Sequence, residues 1–91
     1  WMHGRDVLLT PTLPITAVPV AAVDESTAPL AALTRPVNYL GGCGLSLPAG
    51  LSSDGLPIGV QLIGAAFTEP SLIRLGRAFQ DVTDWHRRRP P

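Results

Sequence analysis

A pair of serines and the single cysteine are the first candidates for a nucleophile in this chain. Ser52 and Ser53 are adjacent, but Asp54-Gly55 follows them. This composition is typical of a turn in which the hydroxyls bond their own backbone. No base stands near the pair in sequence to remove a proton from either hydroxyl. We therefore interpret the serine pair as part of a turn.

Cys43 is the best alternative nucleophile, because a thiolate is reactive once a base or a positive environment has formed it. The two histidines, His3 and His86, lie near the two ends of the chain. We therefore favour a small buried side chain at Cys43 over a cysteine-dependent hydrolase. Two histidines, one cysteine and scattered carboxylates show no metal-ligand spacing, so we expect neither a metal nor another cofactor.

The chain contains no lysine, and all seven of its basic residues are arginines. A guanidinium does not lose its proton at accessible pH, so none of these side chains can act as a general base. Any mechanism that needs a neutral lysine must take that amine from outside this chain.

Composition favours a piece of a larger core. Of the 91 residues, 45% are hydrophobic and only 15% are charged, although a small free-standing domain needs a more charged surface. The net charge of +0 gives no field to attract nucleic acid or an anionic membrane. A single cysteine and the absence of a visible secretory signal favour the cytoplasm. Because the chain opens with Trp1, we expect upstream sequence.

Residues 44–64 predict a β-hairpin, because two short apolar runs flank a turn-forming segment. In the second run, Val60 and Leu62 lie on one face while Gln61 and Ile63 lie on the other. Apolar residues on both faces predict a strand that is covered on both sides, as in a layered α/β sheet.

Residues 6–10 hold a compact apolar run that predicts a buried parallel strand. Prolines interrupt residues 11–29, which show no helical period and are too apolar for a solvated linker. We expect that segment to make an extended excursion over the surface of a larger body.

Two helices are expected in the second half of the chain. A short helix covers about 30–40, with Pro36 in its first turn and Gly41-Gly42 at its end. A longer helix covers 69–86, with Thr68 as its N-cap. Its apolar residues recur every three or four positions at Leu72, Leu75, Phe79, Val82 and Trp85.

Several motifs, in a fixed order, resemble the C-terminal end of the amidase signature family. They are DVLLTPT at 6–12, TRPVN at 34–38, SLPAG at 46–50, DGLPIGVQLIG at 54–64, and the helix residues 78–86. Family members are serine amide hydrolases and the A subunits of tRNA-dependent amidotransferases. The resemblance implies that residues 1–91 are the C-terminal part of a single amidase domain. The implied fold class is α/β: a C-terminal fragment of the family's α/β/α fold, with a mixed sheet of three or four strands, a strand hairpin and one long C-terminal helix.

The resemblance also implies a Ser–cis-Ser–Lys triad that forms an acyl-enzyme on serine. This chain lacks the lysine and the glycine- and serine-rich nucleophile segment, so we expect no catalytic residue in it and no activity from it alone. In family members the region before the hairpin approaches the substrate. We therefore expect part of the substrate-channel wall to be formed by Thr34, Arg35, Asn38 and Cys43.

Two details bear on the subfamily and on the site. Where many members read Gly-Leu-Pro-Ala before the strand, this chain reads Gly41-Gly42-Cys43-Gly44, which puts the shape of the pocket and the substrate in question. Ala31 and Ala32 stand where A subunits carry an acidic residue that holds the substrate's amino group, which favours an amidase. The alternative for Asn38 and Arg35 is a backbone-bonding amide and a solvated guanidinium.

Two functions remain open at this point. The first is a segment of an amide hydrolase, whose partners are the remainder of the amidase domain and a small amide substrate. The second is a free-standing, non-catalytic interaction module derived from a truncated amidase gene. Exposed strand edges would then mediate association, including self-association, while nucleic acid and membranes are not expected partners.

Overall fold

A hairpin and one further strand form the sheet of this chain. The structure is a computed structural model that describes residues 2–24, 26 and 30–90. The strands are β1 (Leu8–Pro11), β2 (Cys43–Leu51) and β3 (Pro57–Gly64), and the helices are α1 (Arg35–Tyr39) and α2 (Glu69–Asp81). Short 3-10 turns lie at Val20–Ala22 and Trp85–Arg87. The α/β class, with a strand hairpin and one longer helix after it, is confirmed.

The hairpin turn is held by its own backbone and one serine. The Ser52 amide donates to the Leu56 carbonyl at 2.8 Å, and the Leu56 amide donates to the Ser52 hydroxyl at 3.1 Å. Gly55 has a φ of 80°, a left-handed conformation that glycine adopts without steric cost. The turn predicted for the serine pair is therefore observed.

The first strand differs from its prediction. β1 pairs antiparallel with β3, with Leu8 opposite Ile63 and Pro11 opposite Val60, so the sheet of the described residues is antiparallel in the order β1-β3-β2. The expectation of a buried parallel strand is wrong here: Leu8 is 42% exposed and Leu9 is 64% exposed. An apolar run indicates that a strand is covered on both faces. It does not give the direction of pairing, which depends on the neighbouring strands that the chain supplies.

The core lies between the sheet and α2. Leu47, Leu62 and Leu72 form its buried centre, and Leu72 is 2% exposed. Gly76 allows the helix to approach, since a Cβ at this position would lie 2.8 Å from Leu45 Cδ2. The helix therefore packs against the sheet through a glycine as well as through its leucines.

The long helix is shorter than its apolar period suggested. α2 ends at Asp81 instead of continuing to 86, and a separate 3-10 turn follows it. The Thr83 hydroxyl donates to the Phe79 carbonyl at 2.9 Å and so occupies a carbonyl of the last helical turn. At the other end, Thr68 occupies the N-cap position, but its hydroxyl donates to the Ala65 carbonyl at 2.7 Å instead of capping the helix.

The opposite face of the sheet carries α1 and the long segment before it. Val37 of α1 is buried, and Gly41, with a φ of 69°, follows the helix. Part of the expected excursion, at 25 and 27–29, lies outside the described residues; within the rest, Val20 is almost fully exposed. None of the helices in the described ranges has the length and apolarity needed to cross a membrane.

Candidate substrate-channel surface

Polar side chains gather on the sheet face that α2 does not cover. Because side chains alternate along a strand, those that share a face with the buried Gln61 of β3 come from alternate positions of β1 and β2. They are Thr10, with Thr12 just beyond the end of β1, and Ser46. We call this surface, made by Thr10, Thr12, Ser46 and Gln61, the polar face.

Gln61 connects the polar face to the segment before α1. It is 5% exposed, and its Nε2 donates to the Leu33 carbonyl at 2.9 Å and to the Thr10 hydroxyl at 3.2 Å. A buried amide needs such partners, because an unpaired one would lose its hydrogen bonds to water without replacement. Gln61 thereby fixes the chain directly before Thr34 against the sheet.

Thr12 and Ser46 meet across the middle strand. Their hydroxyl oxygens are 2.7 Å apart, and the Thr12 amide donates to the Gly59 carbonyl at 3.0 Å. A Cβ at Gly59 would lie 2.9 Å from Thr12 Oγ1, so only glycine leaves room for this contact. The bond agrees with a structural role for the Ser46 hydroxyl.

A cleft of about 490 Å³ lies beside this hydroxyl pair. Its walls are mainly apolar, with Leu13, Ile15 and Ile58 among them, and Thr12 and Ser46 supply hydroxyls. No ionisable side chain lines it among the described residues. The cleft is suited to receive the apolar part of a small molecule, but it offers no group for acid–base catalysis.

Three of the four predicted channel residues lie together on or next to α1. Thr34 is half-buried and precedes the helix, while Arg35 and Asn38 are exposed. Arg35 lines a shallow depression of about 320 Å³ with Pro36 and Tyr39. Their position follows from the two anchors of this segment, Gln61 before the helix and Val37 within it.

Cys43, the fourth predicted residue, lies on the other face of the sheet. Its thiol donates to the Ala65 carbonyl at 3.2 Å and is 3.4 Å from the Thr68 hydroxyl, beside the start of α2. Neither partner is a base that could form a thiolate. No group of three or more His, Cys, Asp or Glu within the described part of the chain could hold a metal ion.

The sequence signal for the polar face was present but weak. Gln61 is a single amide within an apolar strand, and Thr10 and Thr12 are spaced by two residues at the end of another. Period-two spacing placed Gln61 on one face, yet it could not identify the Leu33 carbonyl as its partner, because that contact spans 28 residues.

Comparisons with known proteins agree with these motifs. The family model described as Amidase matches residues 1–73. The A subunit of the glutamyl-tRNA(Gln) amidotransferase of Geotalea daltonii is 50% identical over 92% of this chain, and that of Roseiflexus sp. is 49% identical over 93%. The amidase AmiD of Mycobacterium tuberculosis is 44% identical over 98% of this chain. No solved structure gave a significant match.

The matched relatives are much longer than this chain. It spans 18% of the length of the Geotalea daltonii protein and 20% of AmiD, and it aligns with their C-terminal part. The family match covers β1, the hairpin and the start of α2. This chain belongs to the amidase family and corresponds to a C-terminal portion of its longer members.

Proposed function

We propose that this chain is the C-terminal segment of an amide hydrolase. The parent converts a carboxamide to a carboxylate and releases ammonia or an amine. A serine outside this chain attacks the carbonyl, the amine leaves, and water then hydrolyses the acyl-enzyme. The observation that supports this proposal is the amidase match over residues 1–73, in a chain that spans only about a fifth of its relatives and contains no lysine.

In this proposal the segment contributes structure and part of the substrate channel. The β2–β3 hairpin and α2 supply sheet and packing, and the polar face with Thr34, Arg35 and Asn38 forms part of the channel wall. Gln61 supports that arrangement, because it holds the chain before Thr34 on the sheet. Cys43 lies on the other face of the sheet, where its thiol contacts the Ala65 carbonyl beside the start of α2, so its proposed contribution is to packing and not to that wall.

The proposed partners are the remainder of the amidase domain and a small amide. The relatives comprise both amidotransferase A subunits and an amidase, so identity alone does not separate these activities. Ala31 and Ala32 favour the amidase. We place the protein in the cytoplasm, where its free thiol would stay reduced.

Complementation tests the proposal. The 91-residue chain would be co-expressed with an AmiD that lacks the aligned C-terminal part, and ammonia release from simple aryl and aliphatic amides would be measured. We expect no turnover from either part alone and restored turnover from the pair. Cys43→Ala and Ser53→Ala in this chain should leave the restored activity within about twofold, because neither residue is a nucleophile.

Turnover by the 91-residue chain alone, lost on either alanine substitution, would contradict the proposal.

Exposed leucines on β1 support a second candidate, a non-catalytic interaction module. In that case the isolated chain would be a monodisperse monomer with a cooperative thermal transition, and the AmiD segment would neither bind it nor become active.

A further inference from the structure

A second cleft, which we call the basic cleft, lies where α2, β2 and the 3-10 turn Trp85–Arg87 meet. Its volume is about 520 Å³, which is within the range of small-molecule sites in proteins. Leu45 and Leu47 of β2 form an apolar floor together with Gly76 of α2. The floor belongs to the sheet face opposite the polar face, and it can receive the hydrocarbon part of a ligand.

Three basic side chains line the same cleft. Arg77 belongs to α2, while His86 and Arg87 belong to the 3-10 turn. Among the described residues, Asp81 is the acidic side chain that lines it. With His86 neutral, two guanidinium groups against one carboxylate leave an excess of one positive charge. A ligand with a single negative charge balances that excess.

The charges that line the basic cleft are not paired with one another. Arg77 and Asp81 are four positions apart on α2, yet they form no ion pair. The ion pair found within the described residues joins Arg88 to Asp84 at 3.4 Å. In the same part of the chain, the guanidinium groups of Arg77 and Arg87 have no protein partner, so their donors are available to a ligand.

The His86 imidazole also lacks a partner at one of its nitrogens. Its Nδ1 is buried and makes no hydrogen bond to any of the described residues. A buried polar atom without a partner is unfavourable, because nothing replaces its hydrogen bond to water. No hydrogen bond of Nδ1 holds the ring in place, so a rotation of the side chain can direct a ring nitrogen to a group in the cleft.

We propose that the basic cleft binds a small organic acid, a monocarboxylate with a hydrocarbon body. The carboxylate contacts Arg77 and Arg87, because the planar guanidinium fork matches two carboxylate oxygens. The hydrocarbon lies on Leu45 and Leu47, where it leaves water. Asp81 disfavours a phosphate group, whose further negative charge the cleft does not balance. The inference does not rest on the proposed function, since every contact in it comes from this chain.

Titration of the isotope-labelled 91-residue chain with 3-phenylpropionate tests the site, with the chemical shifts of backbone amides as the readout. We expect saturable shifts at 76–81 and 85–88 and a dissociation constant on the order of 1 mM or lower. Phenylpropanol lacks the charge and acetate lacks the ring, so each should bind at least about tenfold more weakly. The titration is repeated on the complex with the AmiD that lacks the aligned C-terminal part, the truncated AmiD, where the site should persist.

Arginine substitutions identify the groups that hold the carboxylate. Arg77→Gln and Arg87→Gln should each weaken the binding of 3-phenylpropionate by about tenfold, because each removes charged donors to the carboxylate. Arg74→Gln is the matched control, since Arg74 is exposed on the same helix and does not line the cleft. It should leave the dissociation constant within about twofold. Circular dichroism verifies that all three variants keep the fold.

Equal weakening by Arg74→Gln and Arg77→Gln would overturn the inference, because it would indicate a general attraction of anions to the helix. Binding of acetate or phenylpropanol as tight as that of 3-phenylpropionate, or no saturable binding, would also overturn it. Binding to the free chain that is lost in the complex would overturn it as well, since the remainder of the domain would then cover the cleft. Failure of the complex to form counts against the proposed function alone, because the free chain still decides the inference.

Discussion

At the scale of single residues, one buried amide decides where the segment before α1 lies. Gln61 joins three parts of the chain, since it sits in β3 and donates to Thr10 of β1 and to the carbonyl of Leu33. The Thr12–Ser46 hydroxyl pair and Gly59 add a second link between the outer strands, across the middle one. The polar face is therefore held by side-chain hydrogen bonds that join positions distant in sequence.

Replacing the Gln61 amide should loosen this arrangement. Gln61→Met keeps the approximate shape of the side chain but leaves the Leu33 carbonyl without its donor. We expect the free energy of unfolding of the assembled complex to fall by about 1–3 kcal/mol, and amide exchange over residues 33–38 to accelerate. Urea unfolding and exchange measurements provide the readouts.

Gln80→Met is the matched control, because Gln80 is half-buried in α2 and lies away from the polar face. It should change the free energy of unfolding by no more than about 0.5 kcal/mol. Equal effects of the two substitutions would show that the Gln61 hydrogen bonds do not hold the segment.

At the scale of elements, α2 packs on one face of the sheet through a narrow strip of its side chains. Leu72 and Gly76 are its buried positions, Phe79 is half-buried, and Leu75 is exposed, as is Val82 directly after the helix. The apolar stripe seen in the sequence is thus wider than the strip that this chain can cover. The uncovered side of the stripe, at Leu75, borders an apolar groove of about 450 Å³ that Leu9 of β1 also lines.

Shortening the most buried helix side chain tests this packing. Leu72→Ala should lower the free energy of unfolding by about 2–5 kcal/mol, because it removes buried methyl groups and leaves a cavity. Ile73→Ala, next to it in sequence and 62% exposed, should change it by less than about 1 kcal/mol. Urea unfolding followed by far-UV circular dichroism measures the free energy of unfolding of both variants. A small effect of Leu72→Ala would mean that α2 does not pack as described.

At the scale of the whole molecule, apolar surface is exposed on both sides of the sheet. Large side chains such as Val20, Tyr39, Phe67 and Val82 are more than four-fifths exposed, in addition to the leucines of β1. Phe67 also has a φ of 64°, an uncommon conformation for an aromatic residue, directly before the cap of α2. A surface of this kind is typical of a segment that packs within a larger body.

We expect the isolated chain to self-associate as its concentration rises, because exposed apolar surface and the free edge of β1 favour contact between copies. Sedimentation velocity across about a hundredfold range of concentration should show the monomer fraction falling. Addition of the truncated AmiD should restore a single species that contains one copy of each part. A monomer that persists over the whole range and melts cooperatively would contradict this expectation.

Features that depend on residues close together in the chain could be predicted from this sequence. The Asp-Gly turn, the two hairpin strands and the start of α2 depend on turn residues, on alternation and on a proline in the first helical turn. The family motifs gave the amidase assignment for the same reason, since they lie on these local segments. The absence of lysine placed the expected catalytic amine outside the chain without any knowledge of the fold.

Contacts between distant residues required the tertiary structure. The antiparallel direction of β1, the face on which Cys43 lies, and the link from Gln61 to Leu33 depend on which segments pair across the sheet. The end of α2 at Asp81, where the Thr83 hydroxyl donates to the Phe79 carbonyl, did not follow from the apolar period. A sequence pattern indicates which faces of a strand or helix are apolar. The energetics of pairing and packing between distant segments determine which neighbour covers each face.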